Sequence, residues 1–478
     1  LTPAFSPQIS SAPRATAPTG VLDTGDPVNK FGFYVMQVYL FLLISRAAEF
    51  IDPNQHFHLA MITACLGLVC TALNVAVRRA FQTRIGIALA AFSAWVIFEL
   101  PFSSWRGGSF HALTDSWLKS YLTYVILAAL ISSFGQLRKA LTCVALATGV
   151  IVFLSFRMGI NSEADSRLSF SGGTFANAND LAMELILGLP FIVQIAADKR
   201  RARLLRLLAW LVIPVLLFVV LKTGSRAGLI ALLAMGVLLF FRTTAKNRLI
   251  IAALAVVMAA VGPLLLSSDL RARYSTILGG SAVNERTVNE QEANVIDSAD
   301  ESKEGRVELI RYAFLLTAHN PIFGVGMFQF APCAVDLAVS EGKVMGWHPV
   351  HSFLLLVMAE TGIPGVILYT SVLVFCLRAL LRIGKFTRNR KDLGIAREVS
   401  ETLLYSFVGF VTCMLFSPSA YTFQFPLMAA LVTALDLFTK DQMARETREA
   451  KPAPFMPAAR IAMPSIRRIG TPMAPGVR

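Results

Sequence analysis

Residues 305 to 365 gather side chains that can move a proton and hold an anion: Arg306, Arg311, His319, His348, His351 and Glu360. An imidazole such as that of His351 titrates near neutrality and can take a proton from a hydroxyl. A guanidinium meets a phosphate through two parallel hydrogen bonds. A third arginine, Arg226, closes the tight turn Lys222-Thr223-Gly224-Ser225-Arg226, where Gly224 lets the chain reverse between two long apolar runs. Each group also has a plainer reading. Arg226 can snorkel to lipid head groups, Arg306 or Arg311 can be a solvated helix charge, and His351 can be an interfacial histidine at a helix start. His348 and His351 have metal-ligand spacing, but Pro349 lies between them and no third ligand is near in sequence. No metal site and no cofactor is therefore expected. His319 suits the C-terminus of the preceding helix.

The elements that would position these groups follow from the local pattern. Val307, Ile310, Arg311, Phe314 and Leu315 give an amphipathic helix from Arg306 to Leu316, with Arg306 near its start. Asn320-Pro321 and Gly324/Gly326 end it. A second helix is expected from about Pro349, through His351 to Glu360, broken at Gly362-Ile363-Pro364. On such helices Arg306 and Arg311 stand about 140° apart, and His351 and Glu360 about 180° apart. Neither pair shares a face. Asn177 and Asn179, in a second polar cluster, can bind sugar hydroxyls or cap a helix.

The frame around these groups is a membrane protein. Of 478 residues 55% are hydrophobic and 15% charged, against about 25% charged in soluble proteins; mean hydropathy is +0.60. Twelve apolar segments are each long enough to span a bilayer: 31–50, 57–77, 83–101, 117–135, 139–158, 175–197, 204–222, 226–242, 248–267, 364–383, 400–418 and 421–439. The net charge of +14 comes largely from short loops, which argues for membrane orientation and against nucleic acid. Alternate loops carry twenty Lys/Arg on one side and five on the other, placing both termini in the cytoplasm. Six cysteines show no metal or disulfide spacing.

The expected fold class is an all-α polytopic membrane protein of about 12 transmembrane helices, with one large periplasmic loop containing short helices. Residues 1–29 read as a disordered cytoplasmic tail, 30–267 as helices one to nine, and 268–363 as the periplasmic loop. Residues 364–440 read as the last three helices, and 441–478 as a disordered basic cytoplasmic tail. Within the loop, 281–305 holds seven acidic and two basic residues with little apolar periodicity, and reads as a mobile segment.

His351-Ser352, nine residues, Gly362, two residues and Gly365 fit the H-[NSQ]-x9-G-x-x-[GTY] pattern. Together with Gly224-Ser225-Arg226, Gly305-Arg306 and Pro321-Ile322-Phe323-Gly324-Val325-Gly326, their order resembles the bacterial O-antigen ligase and polymerase superfamily. The likeness is clearest from about 170 to 375. It implies an inner-membrane glycosyltransferase that uses neither a metal nor a nucleotide sugar. Its donor would be a glycan on undecaprenyl pyrophosphate, its acceptor a sugar hydroxyl of lipid A–core or of a lipid-linked repeat. Membrane lipids and polysaccharide export components are further expected partners. By that likeness His351 is the base or the group that orients the acceptor, and Arg226 with one of Arg306 or Arg311 holds the pyrophosphate, Arg306 being the better match to the family's Gly-Arg position. Arg311, Lys222, Ser225, Asn177 and Asn179 are the remaining expected substrate-binding residues. The acidic insertion at 281–304 and the long basic tail lie outside the family pattern. A transporter or flippase would instead place ionisable groups deep in the spans, whereas Lys119, Glu99 and Glu184 lie near segment ends. A non-catalytic export scaffold would leave His351 and Arg226 without a role.

Overall fold

The computed structural model describes residues 27–51, 58–73, 76–158, 160–161, 167–170, 175, 177–261, 264, 266–275, 290–390 and 392–449. The expected N-terminal tail (1–29) falls almost wholly outside the described residues, as do residues 450–478 of the C-terminal one. The described chain is helical apart from a two-residue antiparallel pairing, Ile160–Asn161 with Leu168–Ser169.

Each of the twelve apolar segments falls on a helix. Among the described residues, six helices are long and apolar enough to cross a membrane: Val28–Ser45, Arg84–Phe102, Phe134–Arg157, Ala178–Ala197, Arg203–Lys222 and Phe353–Thr387. Twenty residues of helix reach about 30 Å, the thickness of the hydrocarbon core. The helices on the other six segments are shorter or more charged. Large apolar side chains such as Phe153, Leu204, Leu233, Phe241 and Leu249 stand exposed on the helix surfaces. In water such a surface would drive association; against lipid tails it has no cost. The fold is that of an all-α membrane protein.

Ala178–Ala197 lies at the centre, packed against Phe134–Met158, Arg203–Lys222 and Gly394–Met414. Small and hydroxylated residues permit the close approach, as is usual between helices in lipid. A Cβ on Gly188 would fall 2.0 Å from Thr148 Oγ1, and Ser406 Oγ donates to the Leu187 carbonyl at 2.7 Å. Arg84–Glu99 packs against Phe353–Thr387, and Glu290–His319 packs against both that helix and the short Ser268–Ser275.

Three expectations need correction. The helix carrying Arg306 begins at Glu290, so Arg306 lies in its interior and much of the acidic segment is helical. His351 is outside a helix: Ser352 takes the N-cap position and Phe353 is the first helical residue. The last helix runs to Glu449, so the first nine residues of the expected C-terminal tail (441–449) are helical.

Candidate active site

The helix entered at Phe353 breaks its geometry at Gly362, where φ is +71° and ψ −175°. That combination is essentially restricted to glycine. The chain bends there because the Pro321–Gly326 loop docks into the bend. The Val325 amide donates to the Ala359 carbonyl (2.9 Å), Gly326 to Glu360 (2.8 Å), and Ile363 to Pro321 (2.8 Å). A Cβ on Gly362 would lie 2.1 Å from the Ile322 carbonyl oxygen, and one on Gly324 2.3 Å from the Glu360 carbonyl carbon. Glu360, a buried residue, adds a side-chain bond by accepting the Phe330 amide at 3.2 Å. Phe323 anchors the loop from the other side by stacking on Trp95 (5.7 Å) and Phe102 (4.0 Å). Two motifs separated in sequence thus form one interlocked unit.

His351 sits immediately before this helix. Ser352 makes no side-chain capping bond, so the first-turn amides present positive partial charge there. The ring is partly buried, and its Nδ1 makes no hydrogen bond of ordinary geometry to the described residues. Burial, and then the nearby charges of Arg306 and His348, hold the imidazole below the ordinary histidine range, with the Pro349 carbonyl acting the other way. Arg306 and His351 are therefore close enough to feel one another, although 45 residues separate them.

Arg311 takes the opposite side of its helix. Its guanidinium grips Glu341 with two bonds of 2.7 and 2.6 Å. This contact holds the Glu341 carboxyl down at about 2. Tyr312 donates to the same carboxylate (3.2 Å), and Lys343 pairs with Glu308 and Glu341. The network ties Glu290–His319 to the end of Phe330–Ser340.

Arg226 opens its own helix. Ser225 caps it, its hydroxyl accepting the Gly228 amide at 3.2 Å. Gly224 takes a positive φ of 61° in the reversal. Lys222 folds back over Phe218 at 5.7 Å. Tyr274 donates to the Leu221 carbonyl (2.9 Å) and Leu270 lies against Gly224. Both belong to Ser268–Ser275, which also packs on the Arg306 helix. That short helix thus links the Arg226 turn to the helix that carries Arg306. Asn177 caps Ala178–Ala197 by accepting the Asn179 amide at 2.9 Å.

Residues 211–370 match the family model described as O-antigen ligase. Over that stretch, about a third of its length, the chain is similar to the O-antigen ligase family. No curated protein matches the chain. The domain holds Arg226, Arg306 and His351, both interlocked motifs and the Ser268–Ser275 link, and leaves out Asn177 and Asn179. One contributor escaped the sequence reading altogether. Arg167, which charge alone marked only as a loop residue, bonds both Asn179 and the Arg226 turn. His348 was considered only as a metal ligand, yet acts on His351 through its charge.

Proposed function

We propose that the protein transfers a glycan from undecaprenyl pyrophosphate to a sugar hydroxyl at the periplasmic face of the bacterial inner membrane. An O-antigen ligase or polymerase type of function follows from the family domain; the donor, face and residue roles are our reading. The observation that carries it is the placement of His351 at an uncapped helix start, within electrostatic reach of Arg306. A proton acceptor and a cation come within reach of one another there, and Ser268–Ser275 ties the Arg226 turn to the helix that carries Arg306.

In this reading His351, neutral at working pH, accepts the acceptor hydroxyl's proton. The oxygen attacks the anomeric carbon, the bond from that carbon to the pyrophosphate oxygen breaks, and the lipid pyrophosphate leaves with the electron pair. Arg226 and Arg306, with two helix N-termini, stabilise the charge that develops on it. Arg311 and Lys222 contribute more remote positive charge. Ser225, Asn177 and Asn179 serve by fixing the helix ends around the bound glycan. The loop charges support cytoplasmic termini. The acceptor, lipid A–core or another lipid-linked repeat, decides between ligase and polymerase, and export components are natural partners of either.

The test is transfer of a lipid-linked glycan by purified protein in lipid. Arg226→Ala is expected to lower kcat by about 10²- to 10³-fold, as for loss of one charge-stabilising donor. Wild-type turnover by a folded variant overturns the reading.

The low His351 pKa adds a prediction about pH. The imidazole is an active base only while unprotonated, so the acidic limb of kcat/KM should lie below about 6.5, the ordinary histidine value. Arg306→Gln removes a positive neighbour, which raises that pKa and moves the limb to higher pH. A pH profile of the variant measures the shift. A limb that stays in place or moves down contradicts the coupling.

A further inference from the structure

Arg167 lies outside the family domain, yet it touches the turn that carries Arg226. Its Nε donates to the Thr223 carbonyl at 2.9 Å, and its second terminal nitrogen donates to Asn179 Oδ1 at 2.9 Å. Its aliphatic stem completes the contact. A Cβ built on Gly224 would meet Arg167 Cγ at 3.3 Å, so the side chain lies directly on the reversal. One guanidinium thus joins the end of Arg203–Lys222 to the first turn of Ala178–Ala197.

The contact has an electrostatic sense. Thr223 is fully buried and is the C-cap residue of Arg203–Lys222, where carbonyls accumulate negative partial charge. Arg167 neutralises that end. Three residues on, the next helix starts at Arg226 with its positive end. The turn would otherwise set a helix C-terminus beside a helix N-terminus, their partial charges opposing one another at one spot. With Arg167 in place, the spot presents positive charge.

We propose that Arg167 is a positioning residue that fixes the Arg226 turn for the lipid-linked pyrophosphate; this rests on the function proposed above. Lysine cannot replace it fully, because an ammonium lacks the planar fork that reaches two acceptors in fixed directions. Asn179 is the second anchor, and its loss frees one arm of the fork.

The test is steady-state transfer with a defined lipid-linked glycan, with folding checked by thermal melting. Arg167→Ala is expected to lower kcat, as Arg226→Ala does but less, by up to about 10²-fold, the scale of a misplaced contact. Arg167→Lys should recover part of that loss, and Asn179→Ala should show a smaller loss of the same kind. In an Arg226→Ala background, Arg167→Ala should add almost nothing, since the two act as a unit. Multiplicative losses in the double variant, or wild-type kcat in Arg167→Ala, overturn the positioning role. Should Arg167→Ala fail to fold, the Lys and Asn179→Ala variants decide by the same criteria. The outcomes are separable from those of the parent reading: normal transfer by Arg226→Ala defeats the site assignment itself. Strong loss there with an unaffected Arg167→Ala defeats only this inference.

Discussion

Alanine in place of His351 is expected to lower kcat for glycan transfer by about 10²- to 10⁴-fold, the usual contribution of a positioned base. That is about 3 to 5 kcal/mol of barrier. The effect should fall on turnover and leave folding almost untouched, because the side chain is only partly buried and its Nδ1 holds no neighbour in place. His351→Gln is the sharper variant. Glutamine keeps polarity and approximate size but cannot take a proton, so a base predicts that it is as slow as alanine. A role in merely orienting the acceptor predicts that it retains most of the rate. Melting temperature and donor binding should match wild type in both. Full turnover by either variant removes His351 from the chemistry.

The second large effect concerns stability. Gly362→Ala puts a side chain where φ is +71°, at a strain of about 1 to 3 kcal/mol. It also drives a methyl to within 2.1 Å of the Ile322 carbonyl, which belongs to rigid docked backbone. Relief requires the loop to lift, at the expense of the Ile363–Pro321 bond and its neighbours, each of about 1 kcal/mol. Together these predict about 3 kcal/mol or more of destabilisation, among the largest effects of single substitutions. Thermal unfolding in detergent should show it, together with reduced yield. Gly365→Ala presses on both Oγ1 and Cβ of Thr361 but adds no positive-φ strain and should be milder. Equal stability of Gly362→Ala and wild type would mean that the bend does not depend on glycine.

Much of the fold was legible because lipid imposes a simple pattern. Apolar runs marked the helices, and Gly362-Ile363-Pro364 marked the bend through the chemistry of its own residues. The errors arose where apolar periodicity was taken as the only helix signal. From Glu290 to Glu304 the periodicity is weak, but Glu, Gln, Ala and Lys all favour helix, and the helix runs through. At His351 the eye goes to Pro349 as a first-turn residue, whereas Ser352 is the better N-cap and excludes His351 from the helix. Angular arithmetic for His351 and Glu360 therefore started from a wrong premise. The site's long-range pairings had no local signal. Arg311 meets Glu341 thirty residues away, and Arg167 meets Thr223 fifty-six away. The motifs singled out Arg226, Arg306 and His351, but only packing brings Arg306 within electrostatic reach of His351 and puts Arg311 on Glu341.

The docking of Pro321–Gly326 into the bend at Gly362 has a bearing on how such a protein can diversify. The chain departs from the bend near Phe330, whose amide rests on Glu360, and comes back to it through Phe353 and Ala359. Everything between is an excursion fastened at both ends to one place. Its exposed surface can change with little effect on the bend itself. It behaves as an exchangeable cassette: a transplant must carry both fasteners, from Pro321 through Gly365, together with His351 and the Glu341 and Lys343 contacts to Glu290–His319, and can vary the exposed residues between them. If the proposed function holds, a glycan-recognising surface on that excursion can be refitted to a new sugar while His351 keeps its seat.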